Sequence, residues 1–271
     1  PSFFSNLQYF FNYQVSYMYV RYFLWNFAGR QDDIQGNYDV LHGNWLSGIP
    51  FIDEIRLGNQ SEISDDARNN KARNTYFFLP LILGLMGVIF LYQQDKKRFW
   101  VLLLFFLFTG LALKVYLNER PFEPRERDYA LVGSFYVFSI WIGLGAYYLG
   151  LEIKKRWNNS LAQPLAVVAS LICVPLLMGY QNWDDHDRSD RYTAQSVAKS
   201  YLTSIQEDVG AMIFTIGDND TFALWYAQDI EGYRTDVRPI NTSLLATDWY
   251  IDQMKRKTYE SDPIPSQLTH D

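Results

Sequence analysis

The sequence has few of the residues that form disulfides and zinc sites: one cysteine and three histidines in 271 residues. Because Cys173 is the single cysteine, no disulfide can form within the chain, and cysteine usage does not identify the compartment. The histidines are scattered, without a pair at a zinc-binding spacing. Neither a glycine-rich P-loop nor a nucleophile elbow occurs. The common sequence signatures of zinc enzymes, P-loop enzymes and serine hydrolases are therefore excluded.

Charge is nearly missing from four long segments, although 20% of all residues are charged. Lys114 is the one Asp, Glu, Lys or Arg within them. Each segment is close to the roughly 20 apolar residues that a helix needs to cross about 30 Å of hydrocarbon. A backbone in lipid must satisfy its own hydrogen bonds, so we predict a transmembrane helix for each segment. The four segments are residues 76–93, 99–117, 129–151 and 161–180.

Some residues within these segments have expected structural roles. Pro175 is expected to kink the fourth helix, because proline lacks the amide that the helix needs. Lys114 is expected to snorkel to the membrane interface, although a charge inside a membrane is also a candidate for function. Four glycines are expected to allow close contact between helices. These are Gly84, Gly87, Gly143 and Gly145.

Basic residues are concentrated in two short loops on one side of the predicted four-helix block. The loops are residues 95–98 and 152–157, and each contains three lysines or arginines. Short basic loops are retained in the cytoplasm. We therefore expect the opposite side to be extracytoplasmic. Residues 30–74, 118–128 and 182–271 belong to that side.

The N-terminal residues 1–29 form a different kind of segment. Apolar side chains recur there at spacings of four and three from Leu7 to Trp25, with polar residues between them. This pattern predicts an amphipathic helix that lies along the membrane interface or packs against the bundle. A soluble helix packed on the outer domain is the alternative. Residues 30–74 are polar and glycine-rich, which indicates an ordered extracytoplasmic loop.

After the transmembrane block, residues 75–181, the sequence becomes polar. Residues 211–216 and 236–245 are typical of strands, and residues 221–230 between them are typical of a helix. Strand, helix and strand in this order form a βαβ unit with parallel strands. The predicted fold is an α-helical membrane bundle of four transmembrane helices plus an N-terminal amphipathic helix. A truncated extracytoplasmic α/β domain, residues 182–271, follows it.

Residues 119–128, between the second and third apolar segments, contain three arginines and four carboxylates. At headgroup depth arginine forms bidentate contacts with phosphate, so the arginines are candidates for binding the phosphate of a lipid-linked donor. The alternative is a loop of mutually neutralised Arg and Glu pairs that caps two helix ends. The candidates are Arg120, Arg125 and Arg127 for the phosphate, with Glu126 and Asp128 in a substrate or structural role.

Two further acidic motifs have both functional and structural interpretations. WDDHDRSDRY, residues 183–192, offers carboxylates and His186 to a metal, but adjacent side chains point in different directions, which favours a solvated or capping loop. GDNDTF, residues 217–222, follows a predicted strand, where α/β proteins bind ligands. Asp218 and Asp220 match the D-x-D element of glycosyltransferases, but helix capping explains them adequately and is favoured. We assign no metal and no firm cofactor.

Several long phrases of the sequence are similar to one protein family. Together they resemble a Bacteroidetes-rich family of polytopic membrane proteins, formerly of unknown function and assigned to the protein O-mannosyltransferases of the GT-C type. The phrases are YMYVRYFLWNFAGRQDDIQG (17–36), NNKARN (69–74), YLNERPFEPRERDYALVGSFYVFSIWIGLG (116–145), NWDDHDRSDRYTA (182–194), GDNDTFALWYAQDIEG (217–232) and TDWYIDQMKRK (247–257).

The resemblance implies an enzyme with several spans in a bacterial inner membrane. Such an enzyme takes a sugar, expected to be mannose, from a polyprenyl-phosphate carrier and transfers it outside the cytoplasm to Ser or Thr of exported proteins. The family's catalytic acidic base lies in the first outer loop. This chain begins without methionine inside an aromatic-rich stretch, so we expect a fragment that lacks the base and is inactive alone. Expected partners are the bilayer, the lipid-linked donor and the exported acceptor, with no nucleic acid.

A non-enzymatic function is the alternative. The chain would then be a membrane scaffold of an export apparatus, and its outer domain would bind protein partners without transferring a sugar. A transporter is disfavoured, because the four apolar segments hold one charge and no evident site for a coupling ion.

Overall fold

The computed structural model describes residues 2–121, 127–207 and 210–267. The chain forms two compact units, Pro1–Asp187 and Arg188–Asp271. Helices dominate both units, and the described strands pair into two-stranded sheets.

The first unit consists of a long N-terminal helix, a small antiparallel sheet with two short helices, and four apolar helices. The N-terminal helix, α1, covers residues 3–27 and contains a π-helical stretch, Tyr9–Arg21. The other elements are β1 (Gly29–Arg30), α2 (Pro50–Leu57), α3 (Asp65–Arg68), β2 (Asn74–Thr75), α4 (Leu79–Gln94), α5 (Lys96–Leu117), α6 (Val132–Trp157) and α7 (Ala162–His186).

Among the described residues, three helices are long and apolar enough to cross a membrane: Lys96–Leu117, Tyr129–Trp157 and Ala162–His186. They confirm the second, third and fourth predicted segments. The fourth apolar helix, α4, has 16 residues and is shorter than the roughly 20 that a span needs. It begins later than predicted because Phe77 and Phe78 have φ angles of 54° and 57°, which a right-handed helix does not contain.

Pro175 lies in a π-helical stretch of α7, Ile172–Leu176. Proline has no N–H to donate, and its ring clashes with the carbonyl four residues earlier, so the regular α-helical bonding is interrupted. The predicted disturbance therefore takes the form of a locally wider helix. α7 continues beyond it to His186.

The backbones of α4 and α6 are in contact. A Cβ atom on Gly87 would overlap the carbonyl oxygen of Trp141, and one on Gly145 would overlap the carbonyl oxygen of Leu83. Both positions therefore require glycine. Small residues at such contacts let helices approach closely where lipid offers no hydrophobic drive for association.

The other two glycines with expected helix contacts differ from each other. Gly84 faces the ring of Phe138, which a Cβ atom would overlap. Gly143 has nothing within 4 Å of the position that its Cβ would take, so the expectation of a close contact there is wrong. The face of α6 that carries Gly145 is turned towards α4, and Gly143, two residues away, lies on a different face.

The second half of α1 packs against the apolar helices through aromatic rings. Phe23 meets Phe106 of α5 and Phe138 of α6 edge to face, with ring centroids 5.8 and 4.7 Å apart. The hydroxyls of Tyr19 and Ser134 share a buried hydrogen bond of 2.6 Å. Aromatic pairs in this geometry contribute roughly 0.5–1.5 kcal/mol beyond their burial. This half of α1 is therefore part of the helical bundle.

Two buried carboxylates hold the polar segment between α1 and α4. Asp53 accepts the backbone N–H groups of Ser47 and Gly48 at 2.9 and 2.7 Å. Asp32 accepts the N–H of Gly43 at 2.9 Å. Buried backbone donors need a partner, and these side chains supply it where no sheet or helix does. The segment thus has a defined backbone with little regular secondary structure.

The second unit contains a parallel pair of strands. β3 (Met212–Thr215) and β4 (Arg238–Asn241) pair with Met212 opposite Arg238, and the helix α9 (Asp218–Asp229) connects them as a βαβ unit. α8 (Thr193–Thr203) precedes the βαβ unit and α10 (Asp248–Met254) follows it. The largest fully buried apolar side chains described in the second unit are Leu202, Leu224, Val237, Ile240 and Tyr250.

We expect Gly145→Ala to destabilise the first unit by about 1–3 kcal/mol, because the added methyl group must push α6 away from the Leu83 carbonyl. Gly143→Ala is the matched control, since open space surrounds that position and alanine is favoured over glycine in a helix by up to about 1 kcal/mol. Thermal unfolding of the detergent-purified protein, followed by circular dichroism, compares the two. Equal stability of both variants would contradict the backbone contact.

Candidate functional site

The last turns of α7 carry two amides that bond to the β1–β2 region. Asn182 donates to the hydroxyl of Tyr76 at 2.6 Å, and its Oδ1 accepts the amide of Asn74 at 3.0 Å. The side chain of Gln181 accepts the backbone N–H of Thr75 at 2.7 Å. These bonds fix the end of α7 against β2.

An ion pair lies beside this network. Arg30 of β1 donates from Nη2 to Oδ2 of Asp185 at 2.7 Å, and the two side chains are 15% and 16% exposed. Arg30 also donates from Nε to the Ala72 carbonyl at 2.8 Å and lies 5.4 Å from the ring centroid of Trp25. Nδ1 of His186 is 3.6 Å from the same oxygen of Asp185. Arg30 is therefore the close ionic contact of this carboxylate, and the imidazole lies at a longer distance.

A cavity of about 410 Å³ opens beside these groups. We call it the α7-end cavity. Aromatic surface makes up much of its wall, and a few polar groups converge on it, which is the composition of small-molecule sites. The lining includes Tyr22, Trp25, Arg30, Tyr76, Asn182, Trp183 and His186.

Residues 118–121, which begin the arginine-containing loop between α5 and α6, are hydrogen-bonded to α1. The hydroxyl of Tyr13 donates to the carbonyl of Arg120 at 2.9 Å. The amide of Gln14 donates to Oδ1 of Asn118 at 2.9 Å. α1 therefore fixes the backbone from which the exposed side chain of Arg120 extends.

Lys114 and Glu119 form a buried ion pair at 2.6 Å, with side chains 2% and 5% exposed. Arg127 lies further away, with Nε 3.9 Å from Oε1 of Glu119, and that oxygen has no hydrogen-bond partner among the described residues. The expectation that Lys114 snorkels to the interface is therefore wrong. The ammonium group turns into the protein because Glu119 neutralises it there.

Only part of the predicted phosphate site can be placed. Arg120 and Arg127 are described. Arg120 follows Glu119 directly in the sequence, and Nε of Arg127 lies 3.9 Å from Oε1 of Glu119. Arg125 and Glu126 lie outside the described residues, and so does the side chain of Asp128. The phosphate-binding role of the loop stays a prediction.

In the second unit, Asp220 caps the N-terminus of α9. Its carboxylate accepts the backbone N–H groups of Ile216, Gly217 and Thr221 at 3.3, 3.3 and 3.1 Å. Desolvation acts to raise the pKa of Asp220, but these backbone bonds outweigh it, and the pKa is lowered. Asp218, exposed at the first position of the helix, makes no side-chain hydrogen bond within the described residues. The geometry at Asp220 is that of a helix cap.

The described residues contain no group of three or more His, Cys, Asp or Glu side chains that can hold a metal ion. The interpretation of residues 183–192 as a loop is wrong for residues 183–186, because α7 continues through them. In this helical turn Nδ1 of His186 lies 3.0 Å from the carbonyl of Asn182. Asp184 points to solvent, whereas Asp185 pairs with Arg30.

Three residues of the site, Arg30, Asn74 and Asn182, carry no functional assignment from the sequence. Arg30 and Asn182 are 152 positions apart, so no spacing pattern connects them. The signal that marks them is their position in residues 17–36, 69–74 and 182–194, three of the phrases that carry the family resemblance.

The three spanning helices and the polar cluster at the end of α7 define a helical membrane protein with a polar site at one end of its bundle. Residues 194–271 match the family model of TMEM260-associated domain 2. This match lies within the second unit. No solved structure matches the chain.

We expect Asp185→Asn to destabilise the first unit by about 1–3 kcal/mol, because it leaves the largely buried guanidinium of Arg30 without a charged partner. Asp184→Asn is the matched control, since the neighbouring carboxylate is exposed. Chemical unfolding in detergent measures both variants. An equal loss in the two would show that the ion pair does not hold the end of α7.

Lys114→Met is expected to lower the free energy of unfolding by about 3–5 kcal/mol, because Glu119 is then a buried carboxylate without its main counter-ion. The double variant Lys114→Met/Glu119→Gln removes both charges and is expected to recover most of this loss. Unfolding midpoints of the two variants give the comparison. A double variant as unstable as the single one would contradict the pairing.

Proposed function

We propose that the chain is part of a membrane glycosyltransferase that moves a sugar, mannose, from a polyprenyl-phosphate carrier to Ser or Thr of exported proteins. The observation that carries this proposal is the match of residues 194–271 to TMEM260-associated domain 2, in a chain that also has membrane-spanning helices. A carrier with a polyprenyl tail is confined to the bilayer, so the enzyme that uses it must also reach the bilayer.

The distribution of charge supports an outward-facing site. The basic residues 96–98 and 154–156 lie at one end of the bundle, where α4 meets α5 and where α6 ends. Short basic loops favour the cytoplasmic side. The α7-end cavity and residues 118–121 lie at the opposite end, where α5 and α7 terminate. This end would meet exported acceptor proteins.

Within this proposal Arg120, Arg125 and Arg127 bind the phosphate of the donor. Lys114 supports the assignment as the close counter-ion of Glu119, at 2.6 Å, whereas Arg127 approaches the same carboxylate at 3.9 Å. Guanidinium groups bind phosphate through paired hydrogen bonds.

The α7-end cavity would take a hydroxyl-bearing part of the donor or acceptor. Arg30 and Asn182 line it with hydrogen-bonding groups, and His186 adds an imidazole that is largely exposed. Sugar and Ser or Thr hydroxyls both donate and accept hydrogen bonds, so such a lining suits them. No catalytic residue is assigned within this chain.

The proposal is tested by sugar transfer with the natural protein that contains this chain. Mannosyl transfer from a polyprenyl-phosphate mannose donor to a Ser/Thr peptide is expected to fall at least tenfold when Arg120, Arg125 and Arg127 are changed to alanine together, because charge-assisted contacts with the phosphate are lost. Lys154, Lys155 and Arg156 changed together to alanine remove the same charge at the opposite end and are expected to leave transfer unchanged.

Transfer that is insensitive to the arginine triple variant would remove the phosphate assignment and leave the activity intact. Absence of any transfer by the unaltered protein would remove the proposed function itself. The two failures are therefore distinguishable.

A partner-binding scaffold is the second candidate, favoured by one surface of the second unit. Met212 and Phe214 alternate along β3 and share one face, and they are 46% and 62% exposed; Ile216, directly after the strand, is 78% exposed. An exposed apolar stripe of this kind is typical of an interaction surface. Stoichiometric co-purification of a partner that depends on Phe214, from a protein that transfers no sugar, would favour this candidate.

A further inference from the structure

A second groove, of about 790 Å³, lies along α7 in the first unit. Residues 68–73 form one wall, and residues 175–184 of α7 form the other. It shares Gly179 and Trp183 with the α7-end cavity but otherwise has its own lining. We call it the basic groove.

Among the residues that the structure describes, three cations and one carboxylate line the basic groove. Lys71 is exposed and makes no hydrogen bond or ion pair within the described part of the chain. Arg68 is 51% exposed, and its ionic contact is a 3.9 Å approach to Asp65, itself 89% exposed. Such exposed pairs contribute little, so the charge of Arg68 remains available to a ligand. With Arg73 the wall has a cationic excess that the single carboxylate, Asp184, does not balance.

Nη2 of Arg68 donates to the Ser61 carbonyl at 2.7 Å, and Arg73, the least exposed of the three cations, is hydrogen-bonded as well. Its Nη2 donates to the side chain of Gln60 at 2.9 Å. Burial lowers the pKa of Arg73, while the charges of Asp53 and Asp32 act to raise it. An arginine pKa starts so far above neutrality that the side chain stays charged. Arg73 therefore supplies a fixed positive charge at the inner edge of the groove.

The opposite wall is apolar and aromatic. Leu176, Tyr180 and Trp183 recur on α7 at spacings of four and three, and they are 57%, 85% and 73% exposed. Tyrosine and tryptophan at the end of a spanning helix lie at the boundary between hydrocarbon and headgroups. α7 begins at Ala162, and roughly 20 residues of helix cross a bilayer, so these side chains lie at that depth.

We propose that the basic groove binds an anionic phospholipid of the bilayer. Its phosphate contacts Arg68, Lys71 and Arg73, and an acyl chain follows the exposed stripe of α7 past Tyr180 and Leu176. Charge complementarity selects an anionic headgroup, and an apolar wall that continues along the spanning helix selects a ligand with a hydrocarbon tail. The groove runs along the exposed surface of the helix, where bilayer lipids are the surrounding solvent. This site goes beyond the proposed function and does not depend on sugar transfer.

The test is photolabelling of the full chain in lipid nanodiscs that contain a trace of phosphatidylglycerol with a photoreactive acyl chain. Mass spectrometry of the digested protein is expected to find label within residues 175–184. Arg68→Gln/Lys71→Gln is expected to reduce this label at least fivefold, because two phosphate-binding charges are lost. Arg68→Lys/Lys71→Arg keeps the charge and is expected to retain the label.

Lys154→Gln/Arg156→Gln is the matched control, since it removes one lysine and one arginine that are exposed at the opposite end of the bundle. This variant is expected to label as the unaltered protein does. A photoreactive diacylglycerol, with the same tails and no phosphate, is expected to label residues 175–184 at least fivefold less. Excess unlabelled phosphatidylglycerol is expected to compete.

Three results would overturn the proposal. Labelling that is unchanged in Arg68→Gln/Lys71→Gln would show that the cations do not bind the headgroup. Equal labelling by the diacylglycerol probe would show contact with tails alone. Competition by undecaprenyl phosphate without competition by phosphatidylglycerol would assign the groove to a polyprenyl carrier. None of these readouts involves sugar transfer, so the proposed function is tested separately.

Discussion

The contact between the backbones of α4 and α6 is the constraint on which the arrangement of the first unit depends. In lipid, apolar side chains gain little from leaving the solvent, so helix association depends on close packing. Gly87 and Gly145 permit this packing by removing the side chain at the point of contact. Phe138 and Ser134 of α6 then contact Phe23 and Tyr19 of α1, and these contacts fix the position of α1 against the bundle.

Buried charge is the second constraint, and two ion pairs of the first unit illustrate it. Lys114 and Glu119 lie five residues apart, at the end of α5, and neutralise each other where neither reaches solvent. Arg30 and Asp185 are 155 positions apart and come together because β1 lies against the end of α7. An unpaired charge would cost about 1–3 kcal/mol at Arg30 and about 3–5 kcal/mol at the more deeply buried Glu119. The pairs therefore favour one arrangement of the polar end, and the α7-end cavity forms within it.

The candidate site was accessible to sequence analysis only where its residues are neighbours in the chain. His186 belongs to a dense acidic phrase, and the arginines of residues 119–128 form an evident cluster. Asn182, in contrast, acts through Tyr76 and Asn74, which precede it by more than a hundred positions. Hydrogen bonds between such distant residues follow from how helices and strands pack, and a single sequence carries no periodicity for them. Lys114 illustrates the same limit, because the sequence shows its charge and its depth but not the direction of its side chain.

Apolar length and composition determined from the sequence alone that helices of this chain cross a membrane, since hydrocarbon admits only a backbone that bonds to itself. The alternation of strand and helix likewise indicated β3, α9 and β4, because period and turn signals are local. Tertiary structure decided which glycines touch another backbone, which carboxylate pairs with Arg30, and which cations remain at the surface of the basic groove. These outcomes depend on the relative positions of whole helices. Gly143 and Gly145 are alike in sequence, and only the neighbouring helix distinguishes them.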